Sequence, residues 1–152
     1  MQSVFSDAIF FKVIDYGTSD YEASVALRQE VLRTPLGLTF TAQELEKEKD
    51  HIHLVGFSDN KLIATASLVP EQSACKMRQV AVHPCMQGQG IGSKLVDFCE
   101  SYAIEKRYEF IHCHARNYAV PFYTKKGYIA EGKYFMEVNI PHLHMKKVLS
   151  AL

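Results

Sequence analysis

The chain carries no surplus of either charge, no C-x-x-C pair, no internal repeat or low-complexity tract and no apolar run of membrane length. Seventeen lysines and arginines balance seventeen aspartates and glutamates, so the basic excess of a phosphate-held nucleic-acid binder is missing. That balance still allows a small anion gripped by main-chain amides. No stretch approaches the roughly 20 apolar residues a membrane span needs. Met1-Gln2-Ser3-Val4-Phe5-Ser6-Asp7 offers neither a basic n-region nor a cleavable h-region. The expectation is a cytoplasmic protein with no nucleic-acid and no membrane partner, folded as one domain over residues 1–152. A domain of that size buries about 68–70% of its unfolded surface and needs no disulfide or metal staple. Cys75, Cys85, Cys99 and Cys113 are accordingly expected as reduced, largely buried thiols.

What is present reads as alternating strands and helices. Ile9 to Ile14 suits a strand, and Ser19-Asp20-Tyr21-Glu22 has the capping-box form S-x-x-E. The helix it opens should reach about Arg33, burying Tyr21, Val25 and Leu32, and break at Thr34-Pro35-Leu36-Gly37. Thr41-Ala42-Gln43-Glu44 repeats the box, and the charge run from Glu44 to Asp50 reads as a solvated face. Two strand-like runs, 52–57 and 61–69, flank Asp59-Asn60 and predict a hairpin. A strand from Lys76 to His83 precedes a helix from Gly90 to Arg107, whose Ile91, Leu95, Phe98 and Tyr102 form one stripe. A strand over 109–115, a short helix over 119–126 and strands over 128–138 and 142–148 complete the chain. The order β-α-α-β-β-β-α-β-α-β-β predicts an α+β, mixed-sheet fold with a central β-α-β unit.

The most informative segment is Gln87-Gly88-Gln89-Gly90-Ile91-Gly92-Ser93. It joins a buried-looking strand to the longest helix, whose first-turn amides lack internal acceptors and favour an anion. A Walker A loop is excluded because Gly92 precedes Ser93-Lys94 in reversed order. A dinucleotide fingerprint is excluded by the glycine spacing and the mid-chain position. The pattern left is Gln87-x-x-Gly90-x-Gly92.

That pattern resembles the Q/R-x-x-G-x-G/A pyrophosphate loop of the GNAT superfamily of acetyl-CoA-dependent N-acetyltransferases. About 25–30 residues on, Asn117-Tyr118-Ala119-Val120-Pro121-Phe122-Tyr123-Thr124-Lys125-Lys126-Gly127-Tyr128 resembles its N-x-x-A-x-x-F-Y-x-x-x-G-[FY] signature. Leu27 to Arg33 and Phe135 to Met145 are similar to the ElaA-like branch of small bacterial members. The resemblance implies a GNAT fold and an acyltransferase moving an acetyl group from acetyl-CoA to a primary amine of a small molecule or peptide. It implies that amides of Gln87, Gly88, Gln89, Gly90, Ile91, Gly92 and Ser93 bind the pyrophosphate. The main chain of Val80, Ala81 and Val82 would pair with the pantetheine arm, and an amide there would polarise the carbonyl. Asn117 would bond the same arm, although an Asn there also suits a helix N-cap.

Acetyl transfer needs a neutral amine and a protonated leaving group. Tyr123 is the candidate general acid, with a second reading as one of two core aromatics beside Phe122. For the base, Glu137, His83 and His142 are all open, and Glu137 is taken as the catalytic residue. Arg28 and Arg33 lie on one side of the first helix, where they could hold an acidic acceptor or simply face solvent. An exposed C-terminal strand would allow a homodimer. Two alternatives remain: a non-catalytic acyl-CoA-binding module, and a metal site built from His51/His53, His112/His114 and His142/His144. Cys113 would face away from His112 and His114 in a strand, and no metal is expected.

Overall fold

Seven strands hydrogen-bond into one mixed sheet in the order β1-β2-β3-β4-β5-β7-β6. The strands are β1 Phe10–Ile14, β2 Ile52–Ser58, β3 Lys61–Glu71, β4 Ala74–Val82, β5 Phe110–Arg116, β6 Ile129–Glu137 and β7 Ile140–Val148. The computed structural model describes residues 8–149. Helices α1 Ser19–Arg28, α2 Ala42–Glu46, α3 Ile91–Glu105 and α4 Val120–Lys125 complete it. Consecutive strand residues face opposite ways, so β2 is buried on both sides. Leu54 joins the large core beneath α3, whereas Val55 packs with Ile14 and with Tyr21 of α1. None of these helices is long and apolar enough to cross a membrane.

The β2–β3 hairpin turns at Asp59 and Asn60, with φ of 51° and 66°, the left-handed pair that a two-residue turn requires. Thr41 forms the expected capping box with Glu44. At α1 the cap lies one residue earlier than the S-x-x-E pattern suggests. The Thr18 hydroxyl, not Ser19, accepts from the Tyr21 amide at 3.2 Å. The helix also changes pitch: after Arg28 the chain continues as a π-helical turn, Gln29–Arg33. Such turns are rare and frequent near functional sites. Of the expected stripe on α3, Ile91 and Leu95 are buried but Phe98 and Tyr102 only partly. Val96, Cys99 and Ala103 fill the rest of that face.

Three expectations are corrected. The run Glu44 to Asp50 is not wholly a solvated face, because the 3-10 turn Lys47–Asp50 carries Glu48 under α1. There Glu48 accepts from the Tyr21 hydroxyl at 2.7 Å and from the Arg28 guanidinium, which is itself 1% exposed. Arg28 is thus a buried ion-pair partner, not a group facing an acceptor. The C-terminal strand is not an edge, since β7 inserts between β5 and β6 and buries Leu143 and Met145. The edge is β6. The cysteines agree with the expectation of free, largely buried thiols: Cys75, Cys99 and Cys113 are buried, and Cys85 sits exposed on the 3-10 turn Pro84–Met86.

Candidate active site

The parallel pair at the sheet's centre opens part-way along. β4 and β5 stay in register from Ala74↔Phe110 to Met77↔Cys113. Beyond that point Gln79 takes φ 58°, and β4 slips against β3 between Thr65 and Ser67. A bulge of this kind bends one strand away from its neighbour. Two hollows draw on the same two elements, with no lining residue in common. β4 gives Val80 to one and Val82 to the other; α4 gives Tyr123 to one and Phe122 to the other.

The first hollow, about 460 Å³, lies at the glycine loop. Gly88 and Gly90 have φ of 81° and 78°, a conformation that costs an L side chain about 1–2 kcal/mol. Gly90 caps α3 without any side-chain hydrogen bond, and the first turn carries no acidic residue. The amides there are left for an outside acceptor. Gln87 closes the loop by donating from Nε2 to the Val82 carbonyl at 3.0 Å. Lys126 ties α4 to α3 by donating to the Ser93 carbonyl and hydroxyl at 3.0 and 2.8 Å and by pairing with Asp97. Lys125, also in the lining, adds a second cation that the motif reading did not single out. Ile91 is buried, and Gln89 is exposed without lining the hollow.

The second hollow, about 190 Å³, lies where β4 and β5 part. Tyr123 lines it at 6% exposure, its ring edge-on to Phe122 and Tyr128 at 5.0 and 5.3 Å. Burial raises its phenol well above the ordinary value of 10.0, so the proton stays on. Glu137, at the end of β6, faces the same hollow. Its carboxylate lies 2.9 Å from Nδ1 of His114. Burial pushes the Glu137 carboxyl up, but the hydrogen bond and charge of His114, with His142 and Lys76, bring it below its usual range. His114 is held below the ordinary imidazole value, by burial first and then by the charge of Lys76. The turn beside it is strained: Val138, a β-branched residue, takes φ 46°, a conformation that marks functional sites in many folds.

The structure sorts the candidate bases. Glu137 and His142 line the hollow. His142 Nδ1 lies 2.7 Å from the Ile140 carbonyl. His83 does not line it, and its Nδ1 accepts from the Cys85 amide at 3.1 Å instead. Sequence reasoning named His114 only within a metal pair and missed it as the partner of Glu137, because the pairing of β7 with both β5 and β6 that brings the two together is long-range. Asn117 caps neither following helix with its side chain, so the N-cap reading is corrected. It is exposed and lines neither hollow, while its neighbours Arg116, Tyr118 and Ala119 line the second. Ala81 is buried and lines neither hollow.

Two His-x-His pairs do come together on β5 and β7. His144 Nε2 is 2.9 Å from His112 Nδ1, His112 Nε2 is 2.7 Å from Glu71, and His144 Nδ1 is 3.3 Å from Glu131. Ring nitrogens bonded to one another form a chain, not a ligand shell. Among the described residues no group of three or more His, Cys, Asp or Glu side chains is placed to hold a metal ion.

The acetyltransferase (GNAT) domain model matches residues 26–149. The chain belongs to the GNAT acetyltransferase family. The expected likeness to that superfamily and the expected mixed-sheet fold are both borne out. YjcF of Bacillus subtilis, named as an uncharacterized N-acetyltransferase, is 30% identical over 105 residues, covering 68% of this chain and 74% of that protein. Escherichia coli ElaA has the same fold, with a TM-score of 0.81 at 18% identity over 92% of this chain and 99% of that one. So does a GNAT family acetyltransferase from Elizabethkingia anophelis solved with acetyl-CoA bound, with a TM-score of 0.72 at 17% identity, over 95% and 100%.

Proposed function

We propose that the protein transfers an acetyl group from acetyl-CoA to a primary amine by direct attack in a ternary complex. The carrying observation is that β4 and α4 each give residues to both hollows, Val82 and Phe122 to the one at the glycine loop and Val80 and Tyr123 to the one that holds Glu137. A thioester whose pyrophosphate rests on the amides of Gln87 to Ser93 would lay its arm along Val80–Val82 into the β4–β5 gap. Asn117 is assigned to the arm on the motif alone.

The amine nitrogen attacks the thioester carbon, and a β4 amide bonds the developing oxyanion. Losing such a donor costs about 2.7–4 kcal/mol in other enzymes. The ammonium of a primary amine titrates near 10 and must shed a proton first. Nδ1 of His114, bonded to the ionised Glu137, carries the hydrogen and leaves Nε2 as a lone pair. Once the ammonium has lost its first proton to solvent, His114 takes the second, which the attacking nitrogen sheds as the amide forms, and Glu137 positions the imidazole. As the carbon–sulfur bond breaks, the Tyr123 hydroxyl protonates the leaving thiolate, and the phenolate regains a proton from solvent as the His114 imidazolium releases its own. Burial raises the phenol, but it raises a thiol in the same place too: Cys113, also in this lining, is pushed up to about 12.

Calorimetry tests the donor half. Wild type should bind acetyl-CoA at micromolar strength, and Gly92→Trp, which fills the loop hollow beside Val82 and Phe122, should lose binding without losing its fold by circular dichroism. If wild type ignores acetyl-CoA, the reading is wrong.

A further inference from the structure

The cleft at the β4–β5 gap is positive in a chain whose charges cancel. Arg33, Lys76, Arg78 and Arg116 line it, against Glu137 as its carboxylate. Arg33 is accounted for: it pairs with Glu44 at 3.0 Å and stacks 4.0 Å over the Phe40 ring. The other three make no ion pair with a described residue. Arg116 is held in place by neutral groups, donating to the Tyr118 hydroxyl at 2.9 Å and to the Leu32 carbonyl at 3.1 Å. Those two bonds fix the guanidinium and leave its charge and its remaining donors unspent.

The strands explain why these cations share a face. Lys76 and Arg78 are two apart on β4, as are His114 and Arg116 on β5, and Lys76 is in register with His112. Side chains two apart point the same way. The π-helical turn that ends in Leu32 and Arg33 closes the cleft from the α1 side.

We infer that the acceptor amine carries an oxyanion, a carboxylate or a phosphate, seated on Lys76, Arg78 and Arg116 with the amine turned towards His114. This rests on the transferase reading and names its acceptor class. A fixed guanidinium suits a planar or tetrahedral oxyanion because its forked donors match both. The same field serves the chemistry. Burial and the neighbouring Arg78 hold the Lys76 ammonium below its ordinary value, and an acceptor ammonium placed beside it would feel the same pressure to release its proton. A polycationic acceptor would be repelled.

The test uses matched acceptors that differ in the acid alone: phosphoethanolamine against ethanolamine, and alanine against alaninamide. Thiol release gives kcat/KM, and calorimetry on the coenzyme A-loaded protein gives affinity. The acid-bearing member of at least one pair should be favoured roughly 10- to 100-fold, and the favoured pair distinguishes phosphate from carboxylate. Arg78→Met and Arg116→Met should raise KM for that member by about tenfold or more, with Arg78→Lys intermediate and the acetyl-CoA Kd unmoved in all three. Neutral members that match or exceed their acids, or acids whose affinity ignores both arginines, overturn the inference while acetyl-CoA binding leaves the transferase reading standing. Absence of acetyl-CoA binding overturns both.

Discussion

Nδ1 of His114 and Oε1 of Glu137 lie 2.9 Å apart across the second hollow. The two residues come from β5 and from the end of β6, and β7, paired with both, holds them together. His114 sits directly opposite His144 on β7, and Glu137 opposite Ile140. With the imidazole held neutral near pH 7 and the carboxylate ionised, the pair is arranged as a base and its orienting group. Nothing in a local window of sequence joins residues 23 positions apart.

This arrangement sets a pH profile. With His114 as the proposed base, activity requires its neutral form, and its value lies below the ordinary 6.5 because burial disfavours the charged ring. Counted per neutral amine, kcat/KM should therefore be level above that value and fall as pH drops through it. The Glu137 hydrogen bond and charge both raise the ring's value, so Glu137→Gln should move the acid limb to lower pH. His114→Gln should abolish that limb and lower kcat/KM by roughly 10²–10⁴-fold. A profile on which Glu137→Gln leaves the limb in place would remove His114 from the role.

Tyr123→Phe separates binding from chemistry. Burial is the first cause of the raised phenol, and the ring's packing against Phe122 and Tyr128 survives removal of the hydroxyl. Calorimetric affinity for acetyl-CoA should be unchanged, and kcat should fall roughly 10²–10⁴-fold. Equal kcat in the two proteins would reduce Tyr123 to a core aromatic and favour a thiolate that leaves unassisted.

The loop glycines should respond differently to one added methyl. Gly90 has φ 78°, and a Cβ there meets open space, so its cost is backbone alone. Gly90→Ala should lose about 1–2 kcal/mol of stability in urea unfolding and weaken acetyl-CoA binding. Gly92 lies inside α3, where a Cβ would rest 3.8 Å from Val82 and 4.0 Å from Phe122, ordinary contact. Gly92→Ala should match or exceed wild-type stability, because alanine outranks glycine in a helix. Equal losses at the two sites would contradict the assigned backbone.

The parts of this molecule legible in its sequence are those in which one short segment carries both the residue types and the spacing. The glycine loop, the Thr41 capping box and the Asp59-Asn60 turn are of that kind, and each lies where its pattern puts it. Tyr123 was legible through its motif, and it faces the cleft. The rest depended on pairing across the sheet. That β7 is interior, that His114 meets Glu137 and that β4 parts from β5 are consequences of strand order, which local pattern does not encode. Charge runs mislead for the same reason. Glu48 looks like one more exposed carboxylate until α1 brings Arg28 and Tyr21 onto it.

That buried pair supplies a stability prediction. The Arg28 and Glu48 side chains are 2% and 6% exposed, and Nε of Arg28 has no hydrogen-bond partner among the described residues. Glu48→Ala would strand a buried guanidinium and the Tyr21 hydroxyl together, at a cost of about 3–5 kcal/mol. Replacing both charges at once is a different experiment, since a buried pair is costly to desolvate and apolar substitutes are often neutral. Arg28→Met with Glu48→Gln keeps an acceptor for Tyr21 and should recover most of the loss. Urea unfolding of the two variants reads the difference directly. A loss under 1 kcal/mol in Glu48→Ala would mean that water reaches the guanidinium and that the π-helical turn, which follows Arg28 in the chain, is looser than the packing around it.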